Sequence, residues 1–477
     1  MSSVAVEQNA LTAVAPSELR DLYRILLLRN NGSEFLVVGD NTPFTLPRVE
    51  IPRWERVAEN VTAALRKRYG ISAVCLFAPD LLITATGCEQ PLYQVMETRD
   101  AGCATPDDMR WLSADSLSVQ SFEDRQDFVA IANAWDQIRE FQSEANGPFA
   151  QPGWIDELFS WVQREIDPYG LRLTRELRQL NASPTFALLL LETTGQAVWF
   201  KAVGEPNLRE LPISVSLSSL FPGFVPTVIA THPAWNGWLT MEFAGPTLDE
   251  VLDARAWERA AETLARLQIA SMGKHDQLLK AGCRDLRITS LLPLVDPFVE
   301  VMYQLMERQE KTPPPVLGRE ELRKIGGQIK DALLALAQLN IPDTLGHLDF
   351  NPGNILCSAD QCIFLDWAEA YVGPPFFTFE YLHEHLARLR PEDVGLGTDV
   401  DKAYETKWHT ILSPESVSAA QELTPVLAVF AYAVGTAAWR NPTPLQEPKT
   451  AAYLRSLTRR MHAEMQRLQE RRRLCCS

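Results

Sequence analysis

No basic segment followed by an apolar one opens this chain: MSSVAVEQNALTAVAPSELRDLY does not have the pattern of a secretory leader. No uninterrupted apolar span of the roughly 18 residues that cross a bilayer follows it. The expected location is therefore cytoplasmic, with no membrane partner. An excess of basic charge is also missing. Lys and Arg number 45 against 61 Asp and Glu, a formal charge of −16, which opposes non-specific binding to nucleic acid. Eight cysteines, at 75, 88, 103, 283, 357, 362, 475 and 476, contain no CxxC pair and no metal-type spacing, so no zinc site is expected. In a reducing compartment they read as buried thiols, although Cys357 and Cys362 flank a turn and would face each other across it. No internal repeat is evident, which excludes a solenoid.

What remains is a 477-residue chain with 46% hydrophobic and 22% charged residues, long enough for two or three cores. Its clearest break is the Gly/Pro-rich run from Asn146 to Gly153. Before it, Tyr23 to Leu28 and Glu34 to Val38 flank the turn Asn30-Asn31-Gly32-Ser33 and predict a hairpin. Trp54, Val57, Ala58, Val61, Leu65 and Tyr69 recur at helical spacing up to Gly70. Ala73 to Phe77, Leu81 to Thr84 and Tyr93 to Glu97 read as strands, and a long helix is expected from about Phe122 to Phe141. After the break comes an amphipathic helix from Trp154 to Ile166. Strands follow at Phe186 to Leu191, Ala197 to Lys201 and Trp238 to Phe243, and the chain beyond Leu248 is mostly helical. A strand-rich piece followed by a helix-rich one has the outline of a two-lobed enzyme.

The segment LGHLDFNPGNIL, Leu345 to Leu356, is composed like a turn, but a short hairpin follows it. Ile355-Leu356 and Cys362 to Leu365 flank a polar turn, and Asp366 stands at the exit. Phosphoryl transfer from a nucleotide requires a lysine on the phosphates, divalent metal with oxygen ligands, and a carboxylate beside the acceptor hydroxyl. Asn354 and Asp366 offer the amide and carboxylate oxygens that Mg²⁺ accepts, and Asp349 is placed to face the acceptor.

His347-x-Asp349-x4-Asn354, with Asp366-Trp367 twelve residues later, resembles the signature of the aminoglycoside phosphotransferase and choline kinase group, the small-molecule branch of the protein-kinase-like fold. Leu348 stands where that group usually has Gly. The resemblance implies Asp349 as catalytic base or hydroxyl-orienting group, Asn354 and Asp366 as metal ligands, and His347 as a brace for the loop, a role close to that of an ordinary packed histidine. It implies that Lys201, at the end of the WFK strand, binds phosphate, partnered by Glu210 or, second, Glu205. Met241, Glu242 and Phe243 would form the hinge that reads the nucleobase through its backbone. Ser183 would lie in the phosphate-covering turn 181–185, which has no glycines. The implied co-substrate is ATP or GTP with Mg²⁺. Only six residues separate Asp366 from Gly373 and no long activation segment follows, so the expected partner is a small hydroxylated molecule: an aminoglycoside, amino alcohol or sugar. Glu369, Glu380 and Glu384 are acids that would meet an amine if they are not simply solvated.

The first 120 residues resemble the Nudix fold, through the hairpin, LPRVE, the helix ending at Gly70-Ile71 and RWLSADSL. Three glutamates of a working Nudix box are replaced by Ala64, Lys67 and Arg68, its opening glycine by Val49, and only Glu55 survives. Cations at a metal position oppose hydrolysis, so a non-catalytic module is expected. The expected architecture is α+β. A Nudix-like domain spans residues 1–145, a linker with a helix 146–182, a kinase-like N-lobe 183–244 and a helical C-lobe 245–477. The competing reading is a nucleotide-binding regulator without turnover; oligomeric state is not legible.

Overall fold

The computed structural model describes residues 19–79, 91–99, 105–140 and 147–475. Contacts divide the chain into two units, residues 1–208 with 228–242 and residues 209–227 with 243–477. The strand expected from Leu81 to Thr84 lies outside the described residues.

The first unit opens with β1 (Arg20–Arg29), β2 (Glu34–Val38), β3 (Arg48–Pro52), β4 (Ala73–Phe77), β5 (Leu92–Thr98) and β6 (Met109–Ser113), in the order β4-β5-β1-β2-β6. The ten-residue β1 pairs with β3 along its first half and with β2 at its end. The hairpin turn works because Asn30, Asn31 and Gly32 take positive φ, which the residue types tolerate. Two helices follow the predicted spacing, α1 (Val57–Tyr69), closed by a left-handed Gly70, and α2 (Arg125–Glu140), except that Trp54, expected in the first, precedes it at positive φ and is 85% exposed. Then come α3 (Trp154–Ile166) and a five-stranded antiparallel sheet. Its strands are β7 (Leu173–Ser183), β8 (Phe186–Thr193), β9 (Val198–Ala202), β10 (Val228–His232) and β11 (Gly237–Met241), ordered β10-β11-β9-β8-β7.

Strand β7 falls where a linker was expected. Its leucines are separated by charged residues, and register shifts at 173/177 and 179/181 break the period of two that marks a strand. It also ties the front sheet to the second one. The buried Gln179 amide donates to the Cys75 carbonyl and accepts from the Cys75 N–H, at 2.9 and 2.7 Å, standing in for a neighbouring strand at β4. Glu59 and Arg66 of α1 pair with Arg178 and Glu176 at 2.6 and 3.0 Å. One apolar cluster accordingly runs from Leu26 and Val95 through Phe149 and Trp154 to Leu189 and Phe200. At the same junction Glu97 of β5 accepts the Gly153 N–H at 2.8 Å, at the start of α3. Burial pushes its carboxyl up to about 7, against the pull of that hydrogen bond.

The second unit begins with α4 (Glu210–Leu220) and continues through α5 (Arg255–Ser271), α6 (His275–Ala281), α7 (Ile288–Leu291), α8 (Val295–Glu307) and α9 (Arg319–Gln338). Short strands lie among these helices: β12 (Arg284–Asp285), between α6 and α7, forms one sheet with β13 (Thr344–His347) and β16 (Ala370–Gly373), and β14 (Ile355–Cys357) and β15 (Cys362–Phe364) form a hairpin. Helices α10 (Phe376–Leu389), α11 (Val394–Trp408), α12 (Pro414–Gly435), α13 (Pro442–Gln446) and α14 (Pro448–Cys475) complete it. Although the sequence reading finds no membrane-length span, α12 is one by length and composition; 67% of its apolar window is buried inside the fold. It is the central helix of this unit's core, where Leu427, Phe430 and Ala431 are fully buried.

Candidate active site

Strand β13 delivers His347 to the centre of the second unit, 1% exposed. Gly346 is required beside it, because a Cβ there would overlap the buried Tyr371 ring. The backbone N–H of His347 donates to Thr378 Oγ1 at 2.9 Å, and Tyr371 Oη lies 3.0 Å from the same hydroxyl. Both ring nitrogens are engaged. Nδ1 accepts the Asp349 N–H at 3.1 Å, so Nε2 carries the proton and donates to the Leu365 carbonyl at 3.0 Å. Burial lowers the imidazole below its ordinary value, against the Leu365 carbonyl and the charges of Asp349, Asp366 and Glu369. His347 is therefore a neutral clamp between the loop that follows β13 and the exit of β15.

Asp349 is exposed at the tip of that loop. Its carbonyl accepts the Asn351 N–H and Asn354 Nδ2, each at 3.0 Å, while Asn351 Nδ2 holds one carboxylate oxygen at 3.0 Å. Asn351, not singled out by the sequence reading, thus orients the carboxylate. A turn residue's amide bonding its own neighbourhood is ordinary, so its identity carries no signal. Leu348, the departure from the family pattern, is 2% exposed and fits because α12 ends in glycine: a Cβ on Gly435 would lie 2.6 Å from Leu348 Cδ1.

The hairpin behaves as expected. Ile355 pairs with Phe364, and beyond them the Leu365 N–H donates to the Asn354 carbonyl at 2.8 Å, setting Asn354 beside the residue before Asp366. Asp366 has φ 60° and ψ 59°. This left-handed conformation costs a non-glycine about 1–2 kcal/mol, and Asp is among the residues that adopt it. Trp367 Nε1 anchors the turn on the Phe364 carbonyl at 3.0 Å, with its ring 4.9 Å from His347. Since Asn354 uses its NH₂ on Asp349, its Oδ1 is the atom left to face a cation. An amide oxygen and a carboxylate are donors that suit Mg²⁺, which keeps waters and shares substrate phosphates. Among the described residues no group of three or more His, Cys, Asp or Glu is arranged to hold a metal.

The acids expected to meet an amine are placed differently from one another. Glu369 is ion-paired with Arg284 of β12, whose Nη1 also donates to the Ala368 carbonyl at 3.2 Å. Burial lowers the guanidinium's pKa and Glu369 opposes that shift. The Glu369 charge is thereby already answered, and the sequence held no hint of it because Arg284 is 85 residues away. Glu380 lies two residues from Thr378 on α10, about 200° around the helix, and lines a cleft of about 630 Å³ with His383, Asp401 and Glu464. It therefore does not share the side of α10 that touches the loop. Glu384 in the same cleft is paired with Arg460. His385 is a further group near Asp349, whose charge acts on it. Burial drives it down to about 4, so it is neutral near pH 7.

The remaining predicted residues divide between the units. Lys201, Ser183, Met241 and Glu242 belong to the first, and Glu210 and Phe243 to the second. Lys201 sits on β9 opposite Leu188 and Trp238, with Nζ 5.8 Å from the Trp238 ring centroid. Ser183 ends β7 and the turn is Pro184-Thr185, shorter than the expected 181–185. Met241 ends β11, with Glu242 immediately after it donating its N–H to the Ala197 carbonyl at 3.0 Å. Glu210 opens α4 and is 2% exposed, whereas Glu205 is exposed in the preceding loop.

No curated protein matches the chain. Among solved structures, a macrolide 2′-phosphotransferase from Brachybacterium faecium is 14% identical, over 63% of this chain and 98% of its own, with a TM-score of 0.41. A choline kinase from Streptococcus pneumoniae is 12% identical, over 64% and 99%, at 0.43. An ethanolamine kinase from Plasmodium vivax is 13% identical, over 62% and 83%, at 0.43. Residues 209–411, which contain α4, the His347 to Asn354 loop, the hairpin and Asp366, match the model of the phosphotransferase enzyme family.

Proposed function

We propose that the chain is a Mg²⁺-dependent O-phosphotransferase that moves the γ-phosphate of ATP or GTP to a hydroxyl of a small molecule. The observation that carries this reading is the bonded loop itself. His347 and Asn354 hold the Asp349 backbone from two sides, and the hairpin returns Leu365 to Asn354, so Asp349, Asn354 and Asp366 come from one hydrogen-bonded frame. Asn354 Oδ1 and the Asp366 carboxylate would hold Mg²⁺, which would offset the charge on the transferring phosphate. Asp349 has one oxygen on Asn351, leaving the other to orient the acceptor hydroxyl and take its proton as the O–P bond forms. Lys201 is assigned to the phosphates, Met241 to Phe243 to the nucleobase and Ser183 to the phosphate-covering turn. With Glu369 answered by Arg284 and Glu380 turned away from the loop, neither is assigned as an amine anchor. An amino alcohol, a sugar and an aminoglycoside remain equal acceptor classes. The front sheet is proposed as a non-catalytic Nudix-like module, since Ala64, Lys67 and Arg68 stand where a working box carries glutamates.

The test is transfer of label from γ-labelled ATP and GTP into a metabolite extract, comparing wild type with Asp349→Asn and Asp366→Ala. Loss of a labelled product by about 10²-fold or more in both variants is expected. Label transfer undiminished in Asp349→Asn would remove the mechanism, and Mg-nucleotide binding without transfer across a broad alcohol panel would favour a non-catalytic regulator.

A further inference from the structure

Cys357 and Cys362 have no role in the transfer proposed above, yet the hairpin sets their sulfurs 3.2 Å apart. They are partners in register on β14 and β15. One step further along, the Ser358 N–H donates to the Gln361 carbonyl at 2.8 Å, while the Cys357 N–H turns out of the ladder to the Pro246 carbonyl at 2.9 Å. Bonded and non-bonded pairs alternate in an antiparallel ladder, so the two cysteines are a non-bonded pair, for which Cα atoms are about 4.5 Å apart. That lies within the roughly 4.4–6.8 Å that a disulfide spans. The hairpin is also held from outside. The Leu248 N–H donates to the Ile355 carbonyl at 2.8 Å, and Gln361 Nε2 donates to the Gly223 carbonyl. The sulfurs are therefore kept opposed by backbone on both strands rather than by a free loop.

We propose that Cys357 and Cys362 are a reversible disulfide site, closed by a small oxidant of the peroxide class. Both residues are buried, at 3% and 0% exposure, so a bulky disulfide such as glutathione's does not reach them and hydrogen peroxide is the size that does. The two thiols share one hydrogen bond in which either sulfur can be the donor, so the S–H of one supports ionisation of the other. Either sulfur can then be the first nucleophile, for example Cys362. Its thiolate attacks one peroxide oxygen, the O–O bond breaks, and the departing hydroxide takes a proton to become water. Cys357 then attacks the sulfenic sulfur, the S–O bond breaks, and the hydroxyl leaves as water with the Cys357 proton. Two thiols and one peroxide give one disulfide and two waters, the sulfurs losing two electrons to oxygen. The sulfur separation falls from 3.2 Å to about 2.05 Å, in the hairpin that runs from Asn354 to Asp366. This inference does not depend on the phosphotransfer reading, because it is read by mass.

Trypsin releases the fragment between Lys330 and Arg388 intact, and it contains these two cysteines and no others. The full-length protein is treated with hydrogen peroxide, unfolded in urea with iodoacetamide and digested. The expected fragment carries no alkyl group, weighs two hydrogens less than the dithiol, and regains two alkylation sites after dithiothreitol. In Cys357→Ser, Cys362 should instead stop as an oxygen acid at the same dose. The proposal is overturned if the wild-type fragment stays doubly alkylated at doses that already oxidise the chain's methionines, or if both cysteines become separate oxygen acids. Neither of those results requires the variant to fold.

Discussion

Replacing His347 with phenylalanine keeps a flat ring in the buried site and deletes both nitrogens. The Asp349 N–H and the Leu365 carbonyl then lose partners at 3.1 and 3.0 Å. An unsatisfied group of this kind costs about 1–3 kcal/mol, so the two together predict a loss of roughly 2–6 kcal/mol, with the lower half favoured because both sites are only partly enclosed. The pH dependence separates a neutral clamp from a charged one. Burial holds the folded pKa below the unfolded value near 6.5, so the unfolded chain binds the extra proton. The stability that His347 adds is then complete above pH 6.5 and declines as pH falls, by at most about 1.4 kcal/mol per pH unit. Urea unfolding of wild type and His347→Phe at several pH values between 5 and 8 measures the gap. It should be widest at the alkaline end and narrow toward pH 5. A gap below about 1 kcal/mol at pH 8, or one that widens on acidification, would refute the neutral clamp.

Glu97→Gln should stabilise the protein at pH 8. The carboxyl's folded value of about 7 lies above its ordinary value of 4.5, so wild type loses stability as pH rises through that window, by about 3 kcal/mol on linkage. Comparative thermal melts at pH 5 and pH 8 should show the two proteins closest at pH 5. Arg284→Met leaves the Glu369 carboxylate without its cation and should cost about 1–3 kcal/mol, between the exposed and fully buried cases; adding Glu369→Gln should recover part of that loss in a double-mutant cycle. Gly346→Ala drives a methyl into the Tyr371 ring, an overpacking worth about 1–3 kcal/mol or more. Its melting temperature should fall, since Tyr371 supports Thr378 and through it His347.

Helix α3, helix α1 apart from the misassigned Trp54, the Asn30 to Ser33 turn and the hairpin ending at Asp366 are legible in the sequence, because period, caps and turn chemistry act over a few positions. The same holds for the loop: Asp349 and Asn354 are five residues apart, close enough for a side chain to bond the backbone it must shape. Strand β7 is not legible, since its bulges erase the alternation and its partners are Cys75, Glu59 and Arg66. The room for Leu348 is made by Gly435 and the charge on Glu369 is met by Arg284. Chain order alone thus determined the chemistry on offer: a loop, a hairpin and the donor types at their ends. Tertiary structure decided which charges are met by a distant partner and which imidazole nitrogen carries the proton, because burial and long-range partners set those states.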